Sequence, residues 1–341
     1  FPAEERLTAE DVYWGSSLAI LEMLKGGTTT FVDMYFFMDE VAKACCNSGI
    51  RAVLSQGIIG TNSIIGFQSL QKAKSFASNW HNQAGGRITT MLGPHAPYTC
   101  PPKFLQKVIN EADKLNSPIH IHLAETRKEV EDCLNQYKKT LIELVNEIGL
   151  FERKVLAAHC VHLSDDDINL LVSKQVGIAH NPGSNLKLGS GIAPLKDLTR
   201  KGARVGLGTD GAASNNNLDM FEEMRLAALL QKGYHKNPSL VPATQALGMA
   251  TREGAKALNM SNLGVIEPGY KADMAILDFK KPHLQPHLDT IAHIVYSASA
   301  SDVETVIVDG KILVENGCCL TLDEEKIYAE VSRRAKKLTQ P

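Results

Sequence analysis

One unit repeats along the first two thirds of the chain, between Gly27 and Ala212. Each copy is a short apolar or β-branched run, a polar loop and a stretch with apolar residues at three- and four-residue spacing. The runs are TTTFVDMY (28–35), IRAVLSQGI (50–58), RITTMLGPHAP (87–97), PIHIHLAET (118–126), KVLAAHCVHL (154–163), VGIAHNPGSN (176–185) and RVGLGTDGA (204–212). Strands that alternate with helices predict a parallel sheet, either open or closed into a barrel.

The positions of polar side chains favour the barrel. Six of them follow the C-terminal ends of successive runs: His95, His122, Glu125, His159, His180 and Asp210. A barrel brings all such ends to one face, whereas an open sheet spreads them along a line. We therefore predict a TIM-like (β/α)8 barrel, and because seven runs are present, we expect its first strand to precede Phe1.

The rest of the chain predicts smaller units. Residues 264–278 and 303–317 read as short strands with glycine turns, and 322–338 as a closing helix. We predict a barrel over 1–260, part of a small β-sandwich subdomain over 261–320 and a C-terminal helix over 321–341.

Charge and hydropathy limit the partners. The 341 residues include 36 Lys+Arg and 38 Asp+Glu, a formal charge of -2, and no basic run suited to phosphate backbones. No apolar stretch reaches membrane-spanning length, and no signal segment opens the chain. We expect no nucleic acid or membrane partner and a cytoplasmic location, and a homo-oligomer is left open.

The sharpest local motif is HIH at 120–122, because side chains two apart on a strand share a face. Paired imidazoles bind zinc or iron well, but a lone H-x-H is about as often a pair of core histidines. Glu125, His159 and Asp210 strengthen the functional reading, since a catalytic metal site combines neutral imidazoles with carboxylates. The role of His180 stays open, between bracing the site and packing the core.

Several long motifs occur in a fixed order: IHLAET (121–126), AAHCVHL (157–163), AHNPGSNLKLGSGIAP (179–194) and GTDGAASNN (208–216). They resemble the amidohydrolase superfamily, and within it the 5-methylthioadenosine/S-adenosylhomocysteine deaminases. The resemblance extends over the whole chain and includes PAEERLT (2–8), FVDMY (31–35), GPHAPYTC (93–100) and EPGYKADMAILD (267–278).

The resemblance implies one divalent metal, with zinc favoured over iron or manganese. His122 and Asp210 match two of its ligands, and an H-x-H pair on the first strand, expected upstream of Phe1, would supply the others. The same pattern leaves His120 one layer deeper in the barrel, as a histidine that does not bind the metal.

The implied reaction is hydrolytic deamination of a purine nucleoside, in which a metal-activated water attacks C6 of the adenine ring and ammonia leaves. By resemblance, Glu125 donates a proton to the ring nitrogen, His159 orients the attacking water and Asp210 accepts its proton. Glu4 and His95 would hold the ribose, while Glu125 and Asp210 also contact the substrate.

One position departs from the expected pattern. Gln56 stands where members that accept S-adenosylhomocysteine are expected to carry an arginine, and residues 57–67 contain none. Uncharged substrates such as adenosine, 5'-deoxyadenosine or methylthioadenosine therefore become the favoured ones. Two alternatives remain: another amidohydrolase reaction, such as guanine or cytosine deamination or triazine dechlorination, and an inactive, metal-free fragment.

Overall fold

The main sheet has seven parallel strands in sequential order. A computed structural model describes residues 3–339 of the chain. The strands are β1 (Thr30–Tyr35), β2 (Arg51–Ile58), β3 (Ile88–Pro94), β4 (Ile119–Leu123), β5 (Val155–His159), β6 (Gly177–His180) and β7 (Arg204–Leu207). Each predicted run contains one of them, so the parallel α/β architecture is confirmed. All eight residues of β2 are buried, as expected for a strand with both faces covered.

Helices connect the strands and cover the sheet. Among the longer ones, α5 begins at a proline, which suits the first turn because its missing N–H has no partner there. The helices are α1 (Ala9–Lys25), α2 (Met38–Ser48), α3 (Ser63–Trp80), α4 (Gln83–Gly86), α5 (Pro102–Leu115), α6 (Arg127–Tyr137), α7 (Leu141–Glu147), α8 (Asp165–Ser173), α9 (Pro182–Lys187), α10 (Leu195–Arg200), α11 (Ala212–Asn215), α12 (Met220–His235), α13 (Ala243–Ala250), α14 (Arg252–Ala257), α15 (Thr290–Tyr296) and α16 (Glu324–Thr339). Among residues 3–339, no helix is long and apolar enough to cross a membrane.

The sheet is curled, which brings its two edges towards each other. Glu22 of α1 accepts a hydrogen bond from the backbone N–H of Leu218, which follows β7, at 2.8 Å. The charge of Asp210, just past β7, also raises the pKa of Asp33 on β1. Within the described range β1 and β7 each pair on one side only, so the barrel is open between them. The expected extra strand stays a prediction.

A second, antiparallel sheet packs at the amino-terminal end of the first strands. It consists of β8 (Met274–Leu277), β9 (Val303–Val308), β10 (Lys311–Glu315) and β11 (Cys318–Cys319), in the order β11-β10-β9-β8. Arg51 at the start of β2 pairs with the buried Asp273 at 2.6 Å. Val306 and Val314 belong to the same apolar core as the barrel strands. The contact between the two sheets is therefore both ionic and hydrophobic.

Local backbone and side-chain contacts set the ends of several helices. The first long helix begins at Ala9 because Thr8 forms a capping box with Asp11. The helices α13 and α14 are separated at Thr251, which leaves helical geometry with φ -128° and ψ -102°. The closing helix α16 lies against α1, where Arg334 binds Asp11 at 2.9 Å.

Candidate active site

Three histidine rings meet at the carboxyl ends of β3, β4 and β5. The ring centroid of His122 lies 5.0 Å from that of His95 and 5.4 Å from that of His159. Adjacent parallel strands place these residues on one face, as the repeat predicted.

His122 is held in one orientation by the backbone of the neighbouring strand end. Its Nδ1 donates to the carbonyl oxygen of His95 at 2.7 Å, and its own backbone N–H donates to the same oxygen at 3.0 Å. Burial, together with the nearby His159, lowers the pKa of the ring. The imidazole is therefore neutral at physiological pH, with Nε2 left as a free electron-pair donor.

Glu125 faces His159 across the gap between β4 and β5. The distance from His159 Nε2 to Glu125 Oε2 is 3.8 Å, and Ser190 Oγ donates to Glu125 Oε1 at 3.3 Å. On the other side of the ring, His159 Nδ1 donates to Asn185 Oδ1 at 2.9 Å. The two predicted catalytic residues are thus neighbours, and each has a second polar partner.

Asp210 follows β7 and is fixed by two donors. Ser184 Oγ donates to its Oδ2 at 2.6 Å, and the backbone N–H of Gly211 donates to its Oδ1 at 2.6 Å. Burial raises the pKa of Asp33 on β1 to about 6, and Asp210 contributes as a like charge. Asp33 on β1 is therefore electrostatically coupled to Asp210.

The backbone turns sharply at three of these strand ends. Ala124, His159 and Asp210 have φ values of 53°, 73° and 61°, in the left-handed region that favours glycine. Such conformations cost roughly 1 to 2 kcal/mol each in a residue with a side chain. Their occurrence next to or within the candidate site is typical of backbone constrained for function.

The two residues expected to hold a ribose lie on the side of the site next to β1 and β3. Glu4 accepts a hydrogen bond from the hydroxyl of Tyr35, the last residue of β1, at 2.7 Å. His95 Nδ1 bonds the Thr99 hydroxyl at 2.9 Å, and burial lowers its pKa to about 4. His95 contacts His122 directly, whereas the contact shown for Glu4 is with Tyr35.

His120 and His180 are buried beneath the strand ends. Burial lowers their pKa values to about 3 and about 4, so both rings are neutral. Neither Nδ1 atom has a hydrogen-bond partner among the described residues. The His120 ring lies 5.9 Å from that of His122, two residues earlier on β4.

Gln56 does not project freely into the site. It is 9 % exposed, its Oε1 accepts from the Met38 backbone at 3.4 Å, and its Nε2 approaches the carbonyl oxygen of Gly57 at 3.4 Å. The amide therefore bonds the first residue of α2 and the backbone of its own strand. The segments that follow β1, β2 and β3 form a rim with exposed large apolar side chains: Phe36, Phe37, Ile64, Ile65, Phe67 and Tyr98.

Our sequence reasoning missed the polar residues that surround the predicted ones. Ser184 and Asn185 lie on α9, which begins two residues after the end of β6, and they bond Asp210 and His159. Glu129 accepts from the Glu125 backbone, and burial raises its pKa to about 7. The position of Ser184 and Asn185 just past a strand end could have identified them, but Glu129 gives no such signal.

Two of the described residues carry donor atoms suited to a divalent metal. Within the part of the chain that the structure describes, no three His, Cys, Asp or Glu side chains are grouped to hold an ion. His122 and Asp210 offer a neutral imidazole nitrogen and an oriented carboxylate, both suitable donors for a divalent cation. Catalytic zinc takes three protein ligands, so these two fit as members of a larger set.

Residues 3–313 match the amidohydrolase family. The chain belongs to this family, which confirms the resemblance that its motifs indicated.

Known deaminases and hydrolases resemble the chain in sequence and in structure. The chain is 56% identical to a 5-methylthioadenosine/S-adenosylhomocysteine deaminase from Dictyoglomus thermophilum, over 99% of this chain and 79% of that protein. A zinc-containing crystal structure of an adenosine deaminase from Xanthomonas campestris superposes with TM-score 0.94 and 32% identity, over 99% of this chain and 77% of the other. A zinc complex of atrazine chlorohydrolase from Arthrobacter aurescens TC1 gives TM-score 0.90 at 24% identity, over 97% and 78%, and thereby shows a shared fold.

Proposed function

We propose that the protein catalyses hydrolytic, metal-dependent removal of the 6-amino group from a purine nucleoside, releasing ammonia. The observation that carries this proposal is the meeting of His122, Glu125 and His159 at the carboxyl ends of β4 and β5, with Asp210 oriented past β7. Close relatives that are named deaminases support the same reaction. The fold shared with atrazine chlorohydrolase favours no second function, because fold alone does not fix the substrate.

Two of the metal ligands would be His122, through Nε2, and Asp210. We propose that the other two are an H-x-H pair upstream of Phe1, on a strand that fills the opening between β1 and β7. Zinc is favoured over iron or manganese because the superposed adenosine deaminase contains it. When bound, the ion would lower the pKa of a water molecule towards neutrality.

The protein's own groups would move the protons. Glu125 is 3.8 Å from His159 and would protonate a nitrogen of the purine ring, while His159 would orient the attacking water. Asp210, held by the Ser184 hydroxyl, would accept the proton of that water. Both carboxylates would also contact the substrate.

Glu4 and His95 would bind the ribose hydroxyls, because both lie on the β1 and β3 side of these groups. The rim beyond them exposes Phe36 and Phe67 and has no arginine in residues 57–67. An apolar rim gives no bidentate partner for a carboxylate. We therefore favour substrates with a small or uncharged 5' group over S-adenosylhomocysteine.

A release assay for ammonia tests the activity. The panel contains adenosine, 5'-deoxyadenosine, methylthioadenosine and S-adenosylhomocysteine, with guanine and cytosine as competing amines, and chloride release from a chlorotriazine is measured in parallel. We expect the highest kcat/KM for an uncharged nucleoside. A clear preference for S-adenosylhomocysteine contradicts the substrate choice, and a preference for a base or triazine contradicts the nucleoside proposal.

Zinc content, measured by elemental analysis on the same samples, distinguishes an inactive, metal-free fragment from an enzyme tested on the wrong substrates. A chain that binds no zinc and releases no ammonia favours that alternative, whereas bound zinc without turnover points to a wrong substrate class.

Four sequence expectations remain proposals of the same kind. They are the division into 1–260, 261–320 and 321–341, the cytoplasmic location, the lack of nucleic acid or membrane partners, and a homo-oligomeric state.

A further inference from the structure

Three consecutive residues of the short helix α9 each bond to a different part of the site. The backbone N–H of Gly183 donates to Glu223 Oε2 at 2.9 Å, and the Ser184 hydroxyl donates to Asp210 at 2.6 Å. Asn185 Oδ1 accepts from His159 Nδ1 at 2.9 Å. One rigid turn of backbone thus connects two groups that the proposed reaction needs.

The position of this turn is tightly fixed. Glu223 is fully buried on α12 and also accepts from Asn215 Nδ2 at 2.7 Å. A Cβ atom on Gly183 would lie 2.3 Å from Glu223 Oε1, which leaves no room for a side chain. The carbonyl oxygen of Asn185 accepts from the backbone of Ser190 at 2.8 Å, which fixes the far end. Asn185 therefore presents its amide to His159 from a rigid support.

The Asn185 bond decides which nitrogen of His159 carries the proton. A neutral imidazole has one N–H, and an amide oxygen can only accept, so the proton lies on Nδ1. Nε2, which faces Glu125 at 3.8 Å, is then unprotonated and can accept a proton or a hydrogen bond. With the amide reversed, Asn185 Nδ2 would donate to Nδ1 and the ring proton would move to Nε2.

A second amide approaches the same nitrogen. Asn181 Nδ2 lies 3.5 Å from His159 Nδ1, at the outer limit of a hydrogen bond; as a donor it would require an unprotonated Nδ1, so this contact competes with the Asn185 bond. The Asn185 oxygen is 0.6 Å closer, the difference between 3.5 and 2.9 Å, and is the stronger partner. Asn185 is 1 % exposed, so its effect on a substrate must pass through His159.

We propose that Asn185 is a positioning residue that holds His159 in the tautomer protonated on Nδ1, with Nε2 kept as an acceptor beside Glu125. This inference deepens the proposed deamination and rests on it for its catalytic meaning. The tautomer itself is a property of the free protein. The two proposals can therefore fail separately.

Long-range proton–nitrogen NMR on protein with 15N-labelled histidine tests the tautomer directly. At alkaline pH, where the imidazoles are neutral, we expect the His159 signals of a protonated Nδ1, assigned by their loss in His159→Gln. Asn185→Asp keeps an acceptor and should keep this pattern. Asn185→Leu removes the acceptor at similar size and should move the proton, at least in part, to Nε2.

Asn181→Leu is the matched control, because it removes the other amide near the same nitrogen. We expect it to leave the His159 tautomer unchanged. A wild-type ring protonated on Nε2, or a tautomer that responds to Asn181→Leu and not to Asn185→Leu, would overturn the proposal. The wild-type spectrum alone shows which nitrogen of His159 carries the proton, even if Asn185→Leu does not fold.

Kinetics give the second readout. Asn185→Leu should lower kcat by about 10- to 100-fold, the usual cost of losing an orienting partner, with KM and zinc content unchanged. Asn185→Asp should recover most of that loss. An equal fall in kcat for Asn185→Leu and Asn185→Asp would show that Asn185 contributes only to packing. If no nucleoside is deaminated but the tautomer follows the prediction, the proposed function fails and the positioning role stands.

Discussion

The two sides of the candidate site are built differently. On the side of β5 to β7, His159 and Asp210 are each held by a side chain of α9, at 2.9 Å and 2.6 Å. On the side of β1 to β3, the rim consists of exposed aromatic and aliphatic side chains, with Phe67 64% and Ile64 69% exposed. The first side fixes polar groups, whereas the second offers an apolar surface with few directed bonds.

This contrast matches what a hydrolytic deaminase must do. Proton transfer requires donors and acceptors held in place, and their orientation comes from hydrogen bonds in a water-poor setting. Recognition of a variable substrate end needs surface and shape more than precise bonds. We therefore expect substitutions on the polar side to change kcat, and substitutions on the apolar rim to change substrate preference.

The largest effect is expected at Asp210. Asp210→Asn removes a charge that would hold the metal and accept a proton, so activity should fall by about four orders of magnitude. Zinc content, measured by elemental analysis, should fall with it. Asp166→Asn, at an exposed position of α8, is the matched control for the loss of one negative charge. An Asp210→Asn protein with normal zinc and turnover would remove Asp210 from the site.

Glu125→Gln should separate chemistry from metal binding. The amide keeps the size of the side chain and its contact with Ser190, but it cannot transfer a proton. Turnover should fall by roughly 10²- to 10⁴-fold while zinc content stays at the wild-type level. Glu131→Gln, on the exposed face of α6, is the matched control. Normal turnover in Glu125→Gln would show that another group carries the proton.

The sequence predicted only some of the residues on the polar side of the site. The seven strand runs and His122, Glu125, His159 and Asp210 follow from a repeat and from positions after strand ends, which the fold converts into proximity. Ser184 and Asn185 lie in the same kind of position but were passed over, because serine and asparagine are common after strands in ordinary turns. The family resemblance was needed to single out Glu4.

Other features depend on distant contacts and have no local signal. Glu223 reads as one of two adjacent acids on a helix, yet it is fully buried and accepts from Gly183, 40 positions away, while Glu222 is exposed. Which acid points inward depends on how α12 packs on α9.

The raised pKa of Glu223 leads to a prediction of how the free energy of unfolding depends on pH. Burial raises its pKa from 4.5 to about 7, so in this range the folded state holds a proton that the unfolded state has lost. Its contribution is present in full below pH 4.5 and is lost as pH rises through about 7. The change is on the order of 3 kcal/mol in the free energy of unfolding.

Denaturant unfolding at several pH values measures this dependence. Glu223→Gln should unfold with a flatter pH profile than the wild type between pH 4.5 and 7. Glu222→Gln changes the neighbouring, exposed acid and should reproduce the wild-type slope. Parallel profiles for wild type and Glu223→Gln would mean that Glu223 is ionised throughout this pH range. The hydrogen bonds from Gly183 and Asn215 would then stabilise the carboxylate more than burial destabilises it.

The smallest effect is expected on the apolar rim. Phe36 packs against Tyr35 with ring centroids 5.5 Å apart and is 38% exposed, so Phe36→Ser removes apolar surface without opening the core. If the rim contacts the 5' group, KM for methylthioadenosine should rise several-fold, a loss of about 1 kcal/mol, while KM for adenosine hardly changes. Leu229→Ser, exposed on α12, controls for the loss of surface apolar area elsewhere. Equal changes for both nucleosides would place the 5' group away from Phe36, and a fall in kcat alone would show that the rim takes part in positioning the reacting groups.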